Sequence, residues 1–160
     1  MHAFLKKGAL PPPGASPAPD FEADYLDWLV HQTNLLRELD YAHVDAASLI
    51  QLLEGEVAQH RRALRGRCRV LITHLLKCQY QAERQSRSCL RSIDTQRHEI
   101  DDLLLESPSL RHWLADVAAQ AYVRAMHQAA RETGLDRSVF PASLPYTVEQ
   151  LLDEDNYAKD

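Results

Sequence analysis

The sequence predicts an all-α bundle of four main helices, the second long and interrupted, closed by a short C-terminal helix. Three observations predict it. Apolar residues recur at spacings of three, four and seven over most of the chain, the period of one helix face. No segment of useful length alternates with the period of two that a half-buried strand requires. Helix breakers are few, with five glycines and eight prolines, and most of the prolines crowd into the first nineteen residues.

The elements follow in order. Residues 1–19 are dominated in their second half by Pro, Ala, Gly and Ser, and Pro11, Pro12 and Pro13 favour an extended backbone. This stretch is expected to be a disordered arm, with docking as an alternative role, ahead of a single helical domain over 20–157. Asp20, directly behind Pro19, is the expected N-cap of the first helix. Tyr25, Trp28, Leu29, Leu35, Leu36 and Leu39 share its apolar face.

Asp45 is the next N-cap candidate. Behind it Leu49, Leu53, Val57, Leu64, Cys68, Leu71, Leu75 and Cys78 form a long stripe. An unbroken helix over 46–80 would be about 52 Å long at ~1.5 Å per residue. A compact domain of this size has a radius of gyration near ~15 Å. A break is therefore expected, at Gly55 first and Gly66 second, because an interior glycine costs ~1 kcal/mol relative to alanine.

A third helix is expected from about 83 to 106, with Cys89, Leu90, Ile93, Ile100, Leu103 and Leu104 facing inward. Ser107-Pro108 signals a restart. The fourth helix is rich in alanine (Ala118, Ala121, Ala125, Ala129), which permits close helix–helix approach, and Gly134 suits its C-terminal stop. Thr147 through Gln150 match a capping box for a short last helix with Leu151 and Leu152. The acidic tail 153–160 is expected to fray.

Bulk properties narrow the class. The chain has 160 residues, 45% apolar and 26% charged, ordinary for one globular domain. Cys68, Cys78 and Cys89 are odd in number, which suits reduced thiols in a cytoplasm rather than a disulfide framework. No apolar run approaches the ~20 residues of a membrane span. Lys6 and Lys7 are followed by Pro-rich sequence where a signal peptide needs an apolar stretch. The expectation is a cytoplasmic protein with no membrane attachment.

Several motifs occur together in order. They are His74-Leu75-Leu76-Lys77, Tyr80-Gln81, Glu83-Arg84 and Ser86, then Gln96-Arg97, Ser107-Pro108-Ser109-Leu110, Glu132-Thr133-Gly134-Leu135, Phe140-Pro141 and Pro145-Tyr146-Thr147. In these the chain resembles the bacterial family known as domain of unknown function 29, over about residues 21–157. The resemblance implies an almost wholly helical fold and carries no established activity. The chain departs from the family pattern at Gln51-Leu52, where paired glutamates are frequent. It departs also at Cys78 and Cys89, where tryptophans are frequent, and at Ala82, where proline is.

Charge is segregated. Residues 61–97 hold ten Lys or Arg against two acids, Glu83 and Asp94, while the remainder holds eight bases and twenty-one acids. The bland reading is complementarity inside the bundle. The functional reading is a basic face for phosphate groups, carried by Arg84, Arg87 and Arg91 on one helix face, with Arg61, Arg62, Arg65 and Arg69 as a second cluster. Arginine suits phosphate because its planar fork donates two bonds at once.

The preferred polar cluster is His74, Lys77, Gln81, Glu83, Arg84, Gln96 and Arg97, at the junction of the second and third helices. A hairpin there would bring these groups together, with Glu83 pairing to Arg84 or Arg97, and would make Glu83→Ala destabilising. Glu56 with His60, and His74 with Cys78, have the i, i+4 spacing of metal ligands. They are weak candidates: Cys78 lies on the apolar stripe, and the Glu-x-x-His repeats of helical di-iron proteins are missing. No Gly-x-Ser-x-Gly or Gly-rich phosphate loop occurs. The sequence therefore points first to a non-enzymatic interaction module, self-associating or binding another protein, without a cofactor. A nucleic-acid-associated regulator or nuclease and a helical metalloprotein are the alternatives.

Overall fold

In a computed structural model, residues 19–81, 83 and 86–157 are described. The arm over 1–18 and the last three residues lie outside them. The chain divides by packing into two compact units, Met1–Gly55 and Glu56–Asp160. Among the described residues there is no strand, and no helix is long and apolar enough to cross a membrane. The all-α expectation holds, with four long helices and a short fifth.

The first unit contains α1, Tyr25–Arg37. The helix begins one turn later than expected. Asp20 closes a preceding turn, accepting from the Glu22 backbone N–H at 3.0 Å, and Asp24 takes the N-cap, accepting from Asp27 N–H at 3.0 Å. Trp28 is buried, with Phe21 edge-on at 4.8 Å between ring centroids. Buried Gln32 accepts from the backbone N–H of Asp45 at 2.8 Å. The helix ends on Leu39, which has φ 60. Leu39 N–H donates to Leu36 O and Asp40 N–H to Leu35 O, a Schellman stop without its usual glycine.

The next helix, α2, runs from Ala46 to Tyr80 without interruption. The expected break at Gly55 or Gly66 does not occur. A glycine withdraws only ~1 kcal/mol of helix preference and keeps its backbone N–H, so neighbouring hydrogen bonds still form. From Leu64 to Cys78 the stripe is also continuously buried, which rewards a straight-through helix.

In the second unit, the latter part of α2 forms an antiparallel hairpin with α3, Arg87–Glu106. Cys78 meets Cys89 beside the turn, and Arg67 meets Glu99 further along. The third helix starts at Arg87 rather than near 83, because Ser86 takes the N-cap and accepts from Cys89 N–H at 3.1 Å. Pro108 opens a 3-10 segment, Pro108–Trp113, before α4 begins at Leu114 and runs to Thr133. Gly134, with φ 76, ends α4 and donates to Ala130 O. A capping box of Thr147 and Gln150 starts α5, Val148–Leu152. Leu71, Ile72, Leu75, Ile93, Ile100, Val117, Tyr122 and Leu151 share one core.

The two left-handed stops give opposite expectations. Leu39 is 66% exposed, so Leu39→Gly relieves left-handed strain while losing little burial and stabilises by about 1 kcal/mol. Gly134→Ala creates that strain and destabilises by about 1 kcal/mol. Gly66 is helical, and an added Cβ there meets nothing within 4 Å, so Gly66→Ala stabilises by about 1 kcal/mol. Urea unfolding of the three variants checks the signs. A destabilised Gly66→Ala would show that α2 bends at that point.

Candidate functional site

Helices α2 and α4 run parallel at a constant register. The Thr73 hydroxyl lies 3.4 Å from Ala125 O and Gln81 Nε2 donates to Thr133 O at 3.0 Å, each pair 52 residues apart. In the same register the Arg61 guanidinium lies over the Trp113 ring, 4.1 Å from its centroid. Close approach is possible because α4 turns Ala118, Ala121, Ala125 and Ala129 into the core.

Along this seam three cavities follow one another. The first, about 270 Å³, is lined by Arg61, Arg62, Arg65, Val117 and Gln120. The second, about 560 Å³, shares Arg62, Arg65 and Gln120 with it and adds Arg69 and Arg124. The third, about 820 Å³, shares Arg69 and Arg124 and adds His127, Arg131, Asp136 and Arg137. Shared walls make these one groove with seven arginines along it. Asp136 is the acid in its lining. Ser138 N–H at 2.9 Å and Ser138 Oγ–H at 2.7 Å both donate to its Oδ1 and hold its pKa below the ordinary value, with the charge of Arg137 adding to the shift.

Among the described residues the ion pairs are His43–Asp40, Arg67–Glu99 and Lys77–Glu132, and none uses a groove arginine. The Nε of Arg69 is buried without a hydrogen-bond partner. A row of cations without ion pairs among the described residues concentrates positive potential along the concave groove. Spacing along α2 showed four of these arginines in the sequence. Arg124, Arg131 and Arg137 were not singled out, because only the tertiary register brings α4 and the loop beyond it to the same groove.

Of the other phosphate candidates, Arg87 and Arg91 are exposed on α3 and line none of the three cavities, and Arg84 lies outside the described residues.

The polar cluster read from the sequence divides among three places. Lys77 and Gln81 reach α4: Lys77 Nζ donates to Glu132 Oε2 at 2.7 Å, and Gln81 binds Thr133 O. His74 sits beside Cys89, with Nδ1 3.4 Å from Sγ. Arg97 turns to the C-terminal segment. Its Nε donates to Leu151 O at 2.9 Å, Nη1 to Glu154 O at 3.3 Å and Nη2 to Asn156 O. The Tyr157 hydroxyl donates to Asp94 one turn away. Gln96 is buried and its Oε1 has no hydrogen-bond partner. Glu83 is exposed, and among the described residues no ion pair joins it to Arg97. The expected Glu83–Arg97 pairing is thus replaced by an arginine–carbonyl clasp, which needs no second buried charge. A Glu83–Arg84 pairing lies outside the described residues.

Burial pushes the Cys89 thiol up to about 12, helped by its hydrogen bond with Cys78, whose Sγ is 3.2 Å away. Burial likewise pushes Cys68 up to about 12. These are packed, protonated thiols rather than ready thiolates. Glu56 and His60 are exposed on α2. Among the described residues no group of three or more His, Cys, Asp or Glu is arranged to hold a metal ion.

The family model for the domain of unknown function DUF29 matches residues 21–157. Searches of the curated proteins and of the solved structures found no match.

Two expectations follow from the polar contacts. Arg97→Ala leaves three carbonyls without a charged donor and lowers stability by about 3 kcal/mol, whereas Glu83→Ala stays within about 0.5 kcal/mol. Denaturant unfolding measures both, and hydrogen exchange should show amides near 151–157 losing protection in the Arg97 variant. Burial lowers the pKa of His74 below 6.5, with Lys77 adding to the shift and Glu132 opposing it. The unfolded chain therefore binds the proton first as pH falls. Stability from this group is complete above pH 6.5 and declines below it toward the folded pKa. His74→Gln should flatten that part of the stability–pH curve, and an unchanged slope would remove His74 from the account.

Proposed function

We propose that this chain, which belongs to the DUF29 family, is a non-enzymatic helical binding module that holds a phosphate-bearing polyanion in the groove between α2 and α4. One observation carries this reading: seven arginines line a continuous concave channel, and none has an ion pair among the described residues. Arginine binds phosphate through a planar fork and is weakly hydrated, so it gives up water readily at such a surface. The chain's net charge of −5 does not oppose this, since binding responds to the local potential of the groove. Three buried free thiols suit action in a reducing cytoplasm.

A protein partner or a second copy of the chain is a second reading, favoured by the first unit. Leu26, Leu39, Tyr41, Ile50 and Leu53 there are each more than half exposed. Exposed apolar groups gathered in one small unit are a common mark of a protein contact. Sedimentation of the native chain beside Leu53→Glu tests self-association.

The polyanion reading is tested by calorimetric titration with inorganic polyphosphate. Binding should weaken steeply as salt rises, through counterion release. Arg65→Glu combined with Arg124→Glu should abolish it while leaving the circular dichroism spectrum unchanged. Affinity that ignores salt, or survives the double reversal, would remove the groove as a polyanion site.

A further inference from the structure

We infer that the ligand of this groove is a single-stranded nucleic acid, its phosphates on the arginines and a base stacked beside Trp113. The inference rests on the polyanion reading and names the class of ligand. Its observation lies at one end of the channel. Arg61 lines the first cavity and also covers the Trp113 ring at 4.1 Å. Trp113 is 39% exposed, at the last residue of the 3-10 segment that leads into α4. A large aromatic ring thus contacts a cation at the end of a row of cations and is partly open to solvent.

Single-strand binders combine these two parts, a basic groove that tracks the backbone and an aromatic face on which a base stacks. Each has a separate task. Arginines at successive turns of α2 stand about 6 Å apart along the axis and can meet a ligand with a regularly repeated charge. One face of the ring already carries Arg61, so the unpaired base stacks on the other, which a bare polyanion cannot use. A duplex keeps its bases stacked internally and offers Trp113 none. An acidic peptide could meet the arginines, but its carboxylates gain nothing from the ring. DNA and RNA single strands share the recognised chemistry, and separate arms of the test distinguish them.

The experiment is fluorescence anisotropy on the full chain with labelled oligo-dT and oligo-U, a blunt duplex of the same length, and unlabelled inorganic polyphosphate as competitor. The single strands should bind more tightly than the duplex. With ~4 phosphate contacts, affinity should fall about 50-fold between about 50 and 200 mM salt. Arg65→Glu with Arg124→Glu should remove binding, and Arg87→Glu with Arg91→Glu should not. Trp113→Ala should weaken oligonucleotide binding about fivefold or more, as loss of a stacked base does. Trp113→Phe should recover most of that loss, and polyphosphate affinity should be the same in all three. If the charge reversals act but Trp113→Ala does not, or if duplex binds as well as single strands, the single-strand inference falls and the polyanion reading stands. If neither polyphosphate nor oligonucleotide responds to the groove reversals, both fall. Loss on reversal of Arg87 and Arg91 would move the site to α3 and overturn the inference.

Discussion

The parallel packing of α2 against α4 is the constraint on which the second unit depends. Two parallel helices cannot be joined by a short turn. The chain must first return along α3, and the hairpin of α2 and α3 provides that return. What then sets the register is small-residue packing plus a few polar ties. Alanines on α4 allow close approach, and bonds from Thr73, Lys77 and Gln81 fix how far one helix slides along the other. A slip by one turn would move Arg61 off Trp113 and separate the arginines of α2 from those of α4.

Polar groups at the core edge bind backbone more than they bind one another. Arg97, 2% exposed, directs its donors at three carbonyls near the chain's C-terminal end. The Tyr122 hydroxyl donates to Pro141 O at 2.6 Å, and the Tyr146 hydroxyl to Gln79 Oε1 at 2.8 Å. These bonds tie α5 and the irregular segments around it to the long helices. A buried cation satisfied by carbonyls avoids desolvating a second full charge, which is the costly part of a buried ion pair. Such a network holds the fold in shape without using the side chain of a groove arginine.

Family membership is consistent with this division. The motif residues His74, Lys77, Gln81, Arg97, Thr133 and Tyr146 lie at the contacts joining α2, α3, α4 and the C-terminal segment. The groove arginines Arg61, Arg62, Arg65 and Arg69 lie outside those motifs.

The sequence by itself determined the helices, because hydrophobic period, capping chemistry and breakers are local signals. Asp45, the Thr147–Gln150 box and Gly134 act where their spacing placed them. Local signals misjudged the ends that have a competing cap nearby, Asp24 beyond Asp20 and Ser86 beyond Glu83. They also overstated Gly55 and Gly66, whose small propensity cost is outweighed where the helix is continuous. Which helices lie side by side was a tertiary decision. Partners 52 or more residues apart, such as Gln81 with Thr133 or Arg97 with Leu151, follow from packing rather than from any spacing along the chain. The groove is of that kind, since three of its seven arginines reach it from α4 and the loop beyond, and only folding brings them to the four arginines of α2.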